Sequence, residues 1–253
     1  MHRVYNSAFM NMLKDEENEK YKNTVKNTIS FEPEILKRFV NFMNNPDEET
    51  AIAQFGAGEK YIGVCTLMVT MPGLPMFGHG QIEGFREKYG MEYRRAYWDE
   101  IPNEQLIRDH YRFVFPLMKR RHLFSQVDGF LLYDLHREDG SVDHNVFAYS
   151  NRSRGERALV LFNNSYYSTS GYIKTSAPYA RRSDDGGKET VTSELADGLL
   201  ISGGSDMFTI FREQRSGLQY IRESQEVKNR GMHVSLHGYE SQIFLDIYEV
   251  YDE

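Results

Sequence analysis

A single cysteine, Cys65, excludes any disulfide within the chain. Its place in the apolar run from Tyr61 to Met71 reads as a buried, inert thiol rather than a nucleophile. No run of about eighteen apolar residues occurs, so no membrane-spanning helix is expected, and residues 1–30 are too polar and charged for a secretion signal. Basic character is scarce as well: the net charge is -7 and the isoelectric point is near 5.7. The one basic cluster, Lys119-Arg120-Arg121-His122, falls at the end of an expected helix, where cations complement the helix dipole. Nucleic acid is therefore excluded as a partner class. The histidines, including His110, His136 and His144, show no metal-ligand spacing, and no metal site or other cofactor is expected. Asn151 and Asn163 head glycosylation sequons, a pattern common by chance. These absences describe a cytoplasmic protein with no membrane partner.

What is present suffices for a packed core: 40% of residues are hydrophobic and 26% charged. The pattern changes near residue 125. Before it, helical periodicity dominates, with Val4, Ala8, Phe9, Met12 and Leu13 striping residues 3–14. Phe39 to Met43 reads as a short buried strand, residues 46–55 and 59–71 as helices, and Leu74 to Phe77 as a second buried strand. Residues 78–102 are irregular, and a long helix is expected over 103–121. After residue 125 the period turns toward two, with strands expected at 129–135, 145–150, 158–162, 207–211 and 242–250. Residues 164–190 read as a surface loop or loose hairpin. The expected class is α/β followed by all-β: a parallel part over residues 1–124 and an antiparallel β-sandwich over 125–253.

Three stretches in this order carry a resemblance. Phe42-Met43-Asn44-Asn45-Pro46-Asp47 resembles the segment of the alpha-amylase family of glycoside hydrolases in which a barrel strand ends in Asn-His-Asp. Pro72-Gly73-Leu74-Pro75-Met76-Phe77-Gly78-His79-Gly80-Gln81 is similar to that family's Pro-Gly-x-Pro segment at strand eight, which runs into a Gly-Gln or Gly-Asp turn. A long helix and then a β domain follow, as in that family. The resemblance implies the last units of a (β/α)8 TIM barrel with a C-terminal β domain. A closed barrel takes roughly 250 residues, so the sequence is expected to be the C-terminal portion of a longer enzyme, with the N-terminal barrel portion as its natural partner.

The chemistry follows from that placement. Retaining glycosidases need a nucleophilic carboxylate and a general acid flanking the scissile bond, and the segments that carry both in this family are absent here. By resemblance, Asp47 occupies the position of the third, transition-state-stabilising carboxylate, and Asn45 beside it is a candidate substrate-binding residue. Helix chemistry offers a competing reading of the same string, with Asn45 as N-cap, Pro46 at the first helical position and Asp47 in the first turn. Pro46 stands where the family has a His and supplies no side-chain donor. His79, Gln81 and Glu83 would lie at the barrel mouth, as sugar ligands or as groups that hold their own loop. The resemblance implies an α-glucan or oligosaccharide substrate and allows calcium, for which no cluster of oxygen ligands is visible. The alternative is a non-catalytic carbohydrate-binding or interaction module built on the β domain and its tyrosine-rich loop at 166–179.

Overall fold

The computed structural model describes residues 2–91, 93–183 and 186–252. Its first part repeats one unit three times: a short strand followed by helix. Strand β1 (Val4–Tyr5) leads to helices α1 (Ser7–Lys14) and α2 (Asn18–Phe31) and a 3-10 turn at Pro33–Arg38. Strand β2 (Phe39–Phe42) leads to α3 (Ala51–Phe55) and α4 (Glu59–Thr70), and β3 (Leu74–Met76) leads through a long loop to α5 (Glu104–Asp109), a π turn (His110–Val114), α6 (Phe115–Lys119) and α7 (Arg121–Phe124). The strands pair in parallel in the order β1-β2-β3, with Val4 opposite Phe39 and Val40 opposite Leu74. Buried amides brace them: Asn6 Nδ2 donates to Asn41 Oδ1 at 2.9 Å, and Asn41 Nδ2 donates to Pro72 O at 3.2 Å.

Several expected helix bounds shift, each for a local reason. Val4 and Tyr5 join the sheet because Asn6 caps α1, its Oδ1 accepting from Phe9 N at 3.2 Å. The helix expected from residue 46 begins only at Ala51, capped by Thr50. Helix α2 is not expected from its polar sequence, and it buries only one stripe, Tyr21, Lys22, Val25 and Ile29. Helix α4 is buried on every side from Tyr61 to Thr70, as its all-round apolar sequence requires.

The second part is one antiparallel sheet of strands β4 (Leu131–His136), β5 (Val142–Ser153), β6 (Glu156–Asn163), β7 (Thr169–Ile173), β10 (Met207–Glu213), β11 (Gln219–Glu223), β12 (Met232–Leu236) and β13 (Ser241–Tyr251). The order is β11-β10-β13-β6-β5-β4-β7-β12. A hairpin of β8 (Tyr179–Arg182) and β9 (Lys188–Val191) and helices α8 (Leu195–Gly198) and α9 (Ser224–Arg230) decorate it. The expected sandwich is thus a single curled sheet that encloses its own core, and the stretch at 164–190, expected as a surface loop or loose hairpin, holds the β8–β9 hairpin and also gives β7 to the main sheet. Side chains alternate along β6: Leu159 and Leu161 face the core inside the curl, while Ala158, Val160 and Phe162 face the helices.

That second face makes one continuous core of both parts, running from Phe9 and Leu67 to Phe147, Phe162 and Ile243. Gly63 of α4 lies so close to β6 that a Cβ there would fall 1.9 Å from the Phe162 ring. Polar groups cross the same seam. Lys22, 0% exposed, donates to Val146 O at 3.0 Å and pairs with Asp134 at 3.0 Å. The basic cluster after α6 works here too. Arg121 donates to the Val69 and Gly73 carbonyls, Arg120 pairs with Asp246 at 2.6 Å, and His122 meets Glu156 at 2.6 Å. Among the described residues no helix is long and apolar enough to cross a membrane.

Candidate functional site

The loops that leave β2 and β3 in parallel emerge side by side, as strand-to-helix loops of a parallel sheet must. The first is held from below by Gln54 of α3, whose Nε2 donates to Met43 O at 3.0 Å and to Glu49 O at 2.6 Å. Within it Asn45 is buried, and its Oδ1 accepts from Asp47 N at 2.9 Å and Glu48 N at 3.2 Å. The amide therefore caps a single turn at residues 46–48, not a helix. It fixes the backbone of Asp47 while the Asp47 side chain stands exposed to solvent.

The second loop turns at Gly78. Gln81 is 3% exposed and folded inward. Its Oε1 accepts from Gly78 N at 2.9 Å, and its Nε2 approaches Met43 Sδ at 3.4 Å, so its amide points away from the solvent side. Asn44 packs over Gly78, where an added Cβ would lie 2.3 Å from the Asn44 amide; only glycine admits that approach. Asn44 Oδ1 is buried without a hydrogen-bond partner. Asn45 and His79 line one small cleft with Asn44, Pro46, Glu48, Thr50 and Tyr89. Its volume is about 30 Å³, room for a water molecule but not for a sugar ring. His79 is exposed and packs on Tyr89, which packs in turn on Tyr93. Glu83 is half-buried further along the loop, where its carbonyl accepts from Asn103 N at 2.8 Å and starts α5.

A buried chain of hydrogen bonds supports this turn. The Tyr61 hydroxyl donates to Gln81 O at 2.8 Å and lies 2.9 Å from His110 Nε2. With its proton given to the carbonyl, the hydroxyl accepts from Nε2–H, which leaves His110 Nδ1 buried and without a partner. Burial lowers the His110 pKa to about 4, so the ring is neutral near neutral pH. His110 also opens the π turn, a distortion that often accompanies functional sites. The irregular loop at 84–102 is laced by two carboxylates: Glu100 accepts from Arg86 N and Glu87 N, and Glu87 from Tyr97 N and Trp98 N, all at 2.7 to 3.1 Å.

The structure thus brings Asn45 and His79 to one cleft, leaves Asp47 exposed on the turn that Asn45 caps, keeps Gln81 buried under the second loop and places Glu83 apart. Sequence reasoning missed Asn44, Gln54, Tyr61 and His110, whose parts depend on contacts distant in sequence. Among the described residues no group of three or more His, Cys, Asp or Glu side chains is gathered to hold a metal ion. Both sequon asparagines, Asn151 and Asn163, are at most 1% exposed, which closes them to modification in the folded chain.

No family model matches the sequence, and no curated protein sequence matches it. Solved structures do. The chain is similar to the maltogenic alpha-amylase AmyB from Thermotoga neapolitana at 14% identity and TM-score 0.57, over 92% of this chain and 47% of that one. It is similar to CldA, a cyclomaltodextrin glucanotransferase with a three-domain ABC distribution, at 13% identity and TM-score 0.58, over 95% and 43%. It is also similar to the Nostoc punctiforme debranching enzyme, soaked with acarbose, at 13% identity and TM-score 0.53, over 89% and 37%. At these identities the likeness is one of fold. The chain has the fold of the C-terminal portion of alpha-amylase family enzymes and spans less than half the length of the structures it matches.

Proposed function

We propose that this chain is the C-terminal portion of an alpha-amylase-type hydrolase or glucanotransferase acting on α-glucans, with the nucleophile and general acid on the part of the barrel outside it. Residues 1–124 form the last units of the (β/α)8 barrel and residues 125–253 its C-terminal β domain. One observation carries this reading: three parallel strand–helix units run directly into a curled antiparallel sheet, and the loops after the second and third strands converge on Asn45 and His79. The edges agree with it. A parallel sheet is normally covered on all sides, yet Val4, Tyr5 and Leu74 are exposed on the edge strands.

In this reading Asp47, free in solvent on an anchored turn, is the third carboxylate, which binds sugar hydroxyls more tightly as the ring distorts in the transition state. Sugar lies across the mouth of the cleft rather than within it. His79 supplies from the neighbouring loop the ring donor that Pro46 removes, Asn45 and Gln81 hold the two turns, and Glu83 bounds the loop. The test is hydrolysis of soluble α-glucan by this chain joined to its upstream barrel segment. Turnover that appears only in the joined form and falls at least a hundredfold in Asp47→Asn, as for loss of a transition-state contact, supports the assignment; full activity in that variant removes Asp47 from the site.

The second reading is a carbohydrate-binding module without catalysis, favoured by two exposed tyrosines on the β domain, Tyr166 and Tyr167. It requires glucan binding by this chain with no turnover in the joined form.

A further inference from the structure

The loop between β6 and β7 is held firmly by its backbone while its two largest side chains are left outside. Asn163 Nδ2 donates to Tyr167 O at 2.7 Å and to His237 O at 2.9 Å. Tyr239 N donates to Ser165 O at 2.9 Å, and Asn18 Nδ2 donates to Asn164 O at 2.8 Å. Tyr166 and Tyr167 nevertheless remain 75% and 77% exposed, edge to face with ring centroids 5.8 Å apart. Rings presented this way contribute nothing to the core, and a rigid loop loses little conformational entropy when something stacks on them.

The surface continues from these rings. The Tyr239 hydroxyl donates to Glu16 Oε1 at 2.7 Å, and Lys60 lies 5.4 Å from the Tyr239 ring centre. From Glu16 a shallow, open groove of about 640 Å³ runs between α2 and β5. Asn23 and Asn27 line it one helical turn apart, facing His144 and Asn145. His144 lies with its Nε2 3.6 Å from Glu19, and its Nδ1 is shut away from solvent without a partner. The charges at its rim are largely matched: Glu16 with Lys60 at 2.6 Å and Glu17 with Lys20 at 2.8 Å. Amides, hydroxyls and aromatic faces without a basic cluster suit a neutral polyhydroxy ligand and not a phosphate.

We infer that this surface is a second binding site, separate from the cleft at Asn45 and His79, for a linear neutral oligosaccharide stacked on Tyr166 and Tyr167 and hydrogen-bonded along the groove beside α2. The site stands on its own geometry; only the choice of an α-glucan as the oligosaccharide rests on the proposed function.

The experiment is titration of the chain with maltoheptaose and, separately, cellohexaose, followed by calorimetry and by NMR of the tyrosine and asparagine side chains. The same titrations are run on Tyr166→Ala/Tyr167→Ala and on Asp47→Asn/His79→Ala. Both tyrosines are exposed, so circular dichroism of the first variant should match the parent. Expected is binding that weakens roughly tenfold or more in the tyrosine variant, the effect of removing aromatic anchors, and is unchanged in the cleft variant. Binding of cellohexaose alone with the same tyrosine dependence keeps the site and removes α-glucan as its ligand. Binding lost in the cleft variant and retained in the tyrosine variant overturns the second site while favouring the cleft. Failure of both sugars to bind the parent chain also overturns it.

Discussion

Lys22 and His110 both place an ionisable side chain in the interior, and they do so with opposite charge states. Lys22 is ion-paired with Asp134 at 3.0 Å although burial lowers its pKa, and the Asp134 carboxyl, itself partly buried, is held below its ordinary pKa by Lys22 and Lys26. Removing one member of such a pair leaves the other charge uncompensated at about 3–5 kcal/mol, whereas replacing the cation by a hydrophobe of like shape is often close to neutral. Asp134→Asn should therefore lower the urea midpoint far more than Lys22→Met. A similar loss in both variants would mean that the Lys22 bond to Val146 O, and not the ion pair, carries the stability. His110 is buried neutral, with its pKa lowered to about 4. The unfolded chain, with its histidine near pKa 6.5, binds the proton first, so stability should fall as pH drops from about 6.5 to 4. The contribution from His110 approaches about 1.4 kcal/mol per pH unit within that window. Unfolding free energies of the parent and of His110→Asn across this range check it: the slope should flatten in the variant, because the group that resists protonation is gone.

At the scale of elements, the fold depends on close approaches that sequence periodicity does not encode. Helix α4 touches the curled sheet through Gly63, and the turn after β3 touches the loop after β2 through Gly78. Gly63→Ala gives a better intrinsic helix former, yet the added methyl must displace the fully buried Phe162 ring. Overpacking of that kind costs about 1–3 kcal/mol or more, so thermal unfolding should show a lower midpoint, and a raised midpoint would mean that α4 can slide on β6. The π turn at His110–Val114 is a second example. Residues 103–121 read as one regular helix, and the distortion falls where His110 meets Tyr61 across the core.

For the molecule as a whole, the topological boundary near residue 125 does not interrupt the core. Leu132, Phe147, Tyr149, Val160, Phe162 and Ile243 of the sheet pack on α2, α4 and the helices after β3. Residues 125–253 produced alone would expose that whole face and should bind a hydrophobic dye and aggregate, while the 253-residue chain should unfold with coincident near- and far-ultraviolet transitions. Independent, soluble folding of residues 125–253 would refute this. The opposite edge behaves differently. If the rest of a barrel covers β1 and β3, dye binding by the present chain should decrease when the upstream segment is joined to it.

The sequence by itself determined the order of the architecture, because each signal was local. Parallel strands read as short apolar runs at 39–43 and 74–77, α4 as an all-round apolar helix, and the later strands as a change to period two; only β2 is buried as expected, since β3 is an edge strand with Leu74 exposed. Asn45, Asp47 and His79 were singled out by the resemblance of residues 42–47 and 72–81, and their roles belong to the proposed function. The structure decided what has no local signature. Helix α2 forms from a polar sequence because one stripe, including a lysine, is buried against a strand more than a hundred residues away. The stretch at 164–190, read as a loop or loose hairpin, also supplies β7 to the main sheet because a partner such as β12 satisfies its backbone. Gln81 turns inward because Gly78 N and Met43 lie within reach only once β2 and β3 are side by side. Hydrogen-bonding groups such as these can be used in many ways by an isolated segment, and the neighbours that select one way arrive only when the chain packs.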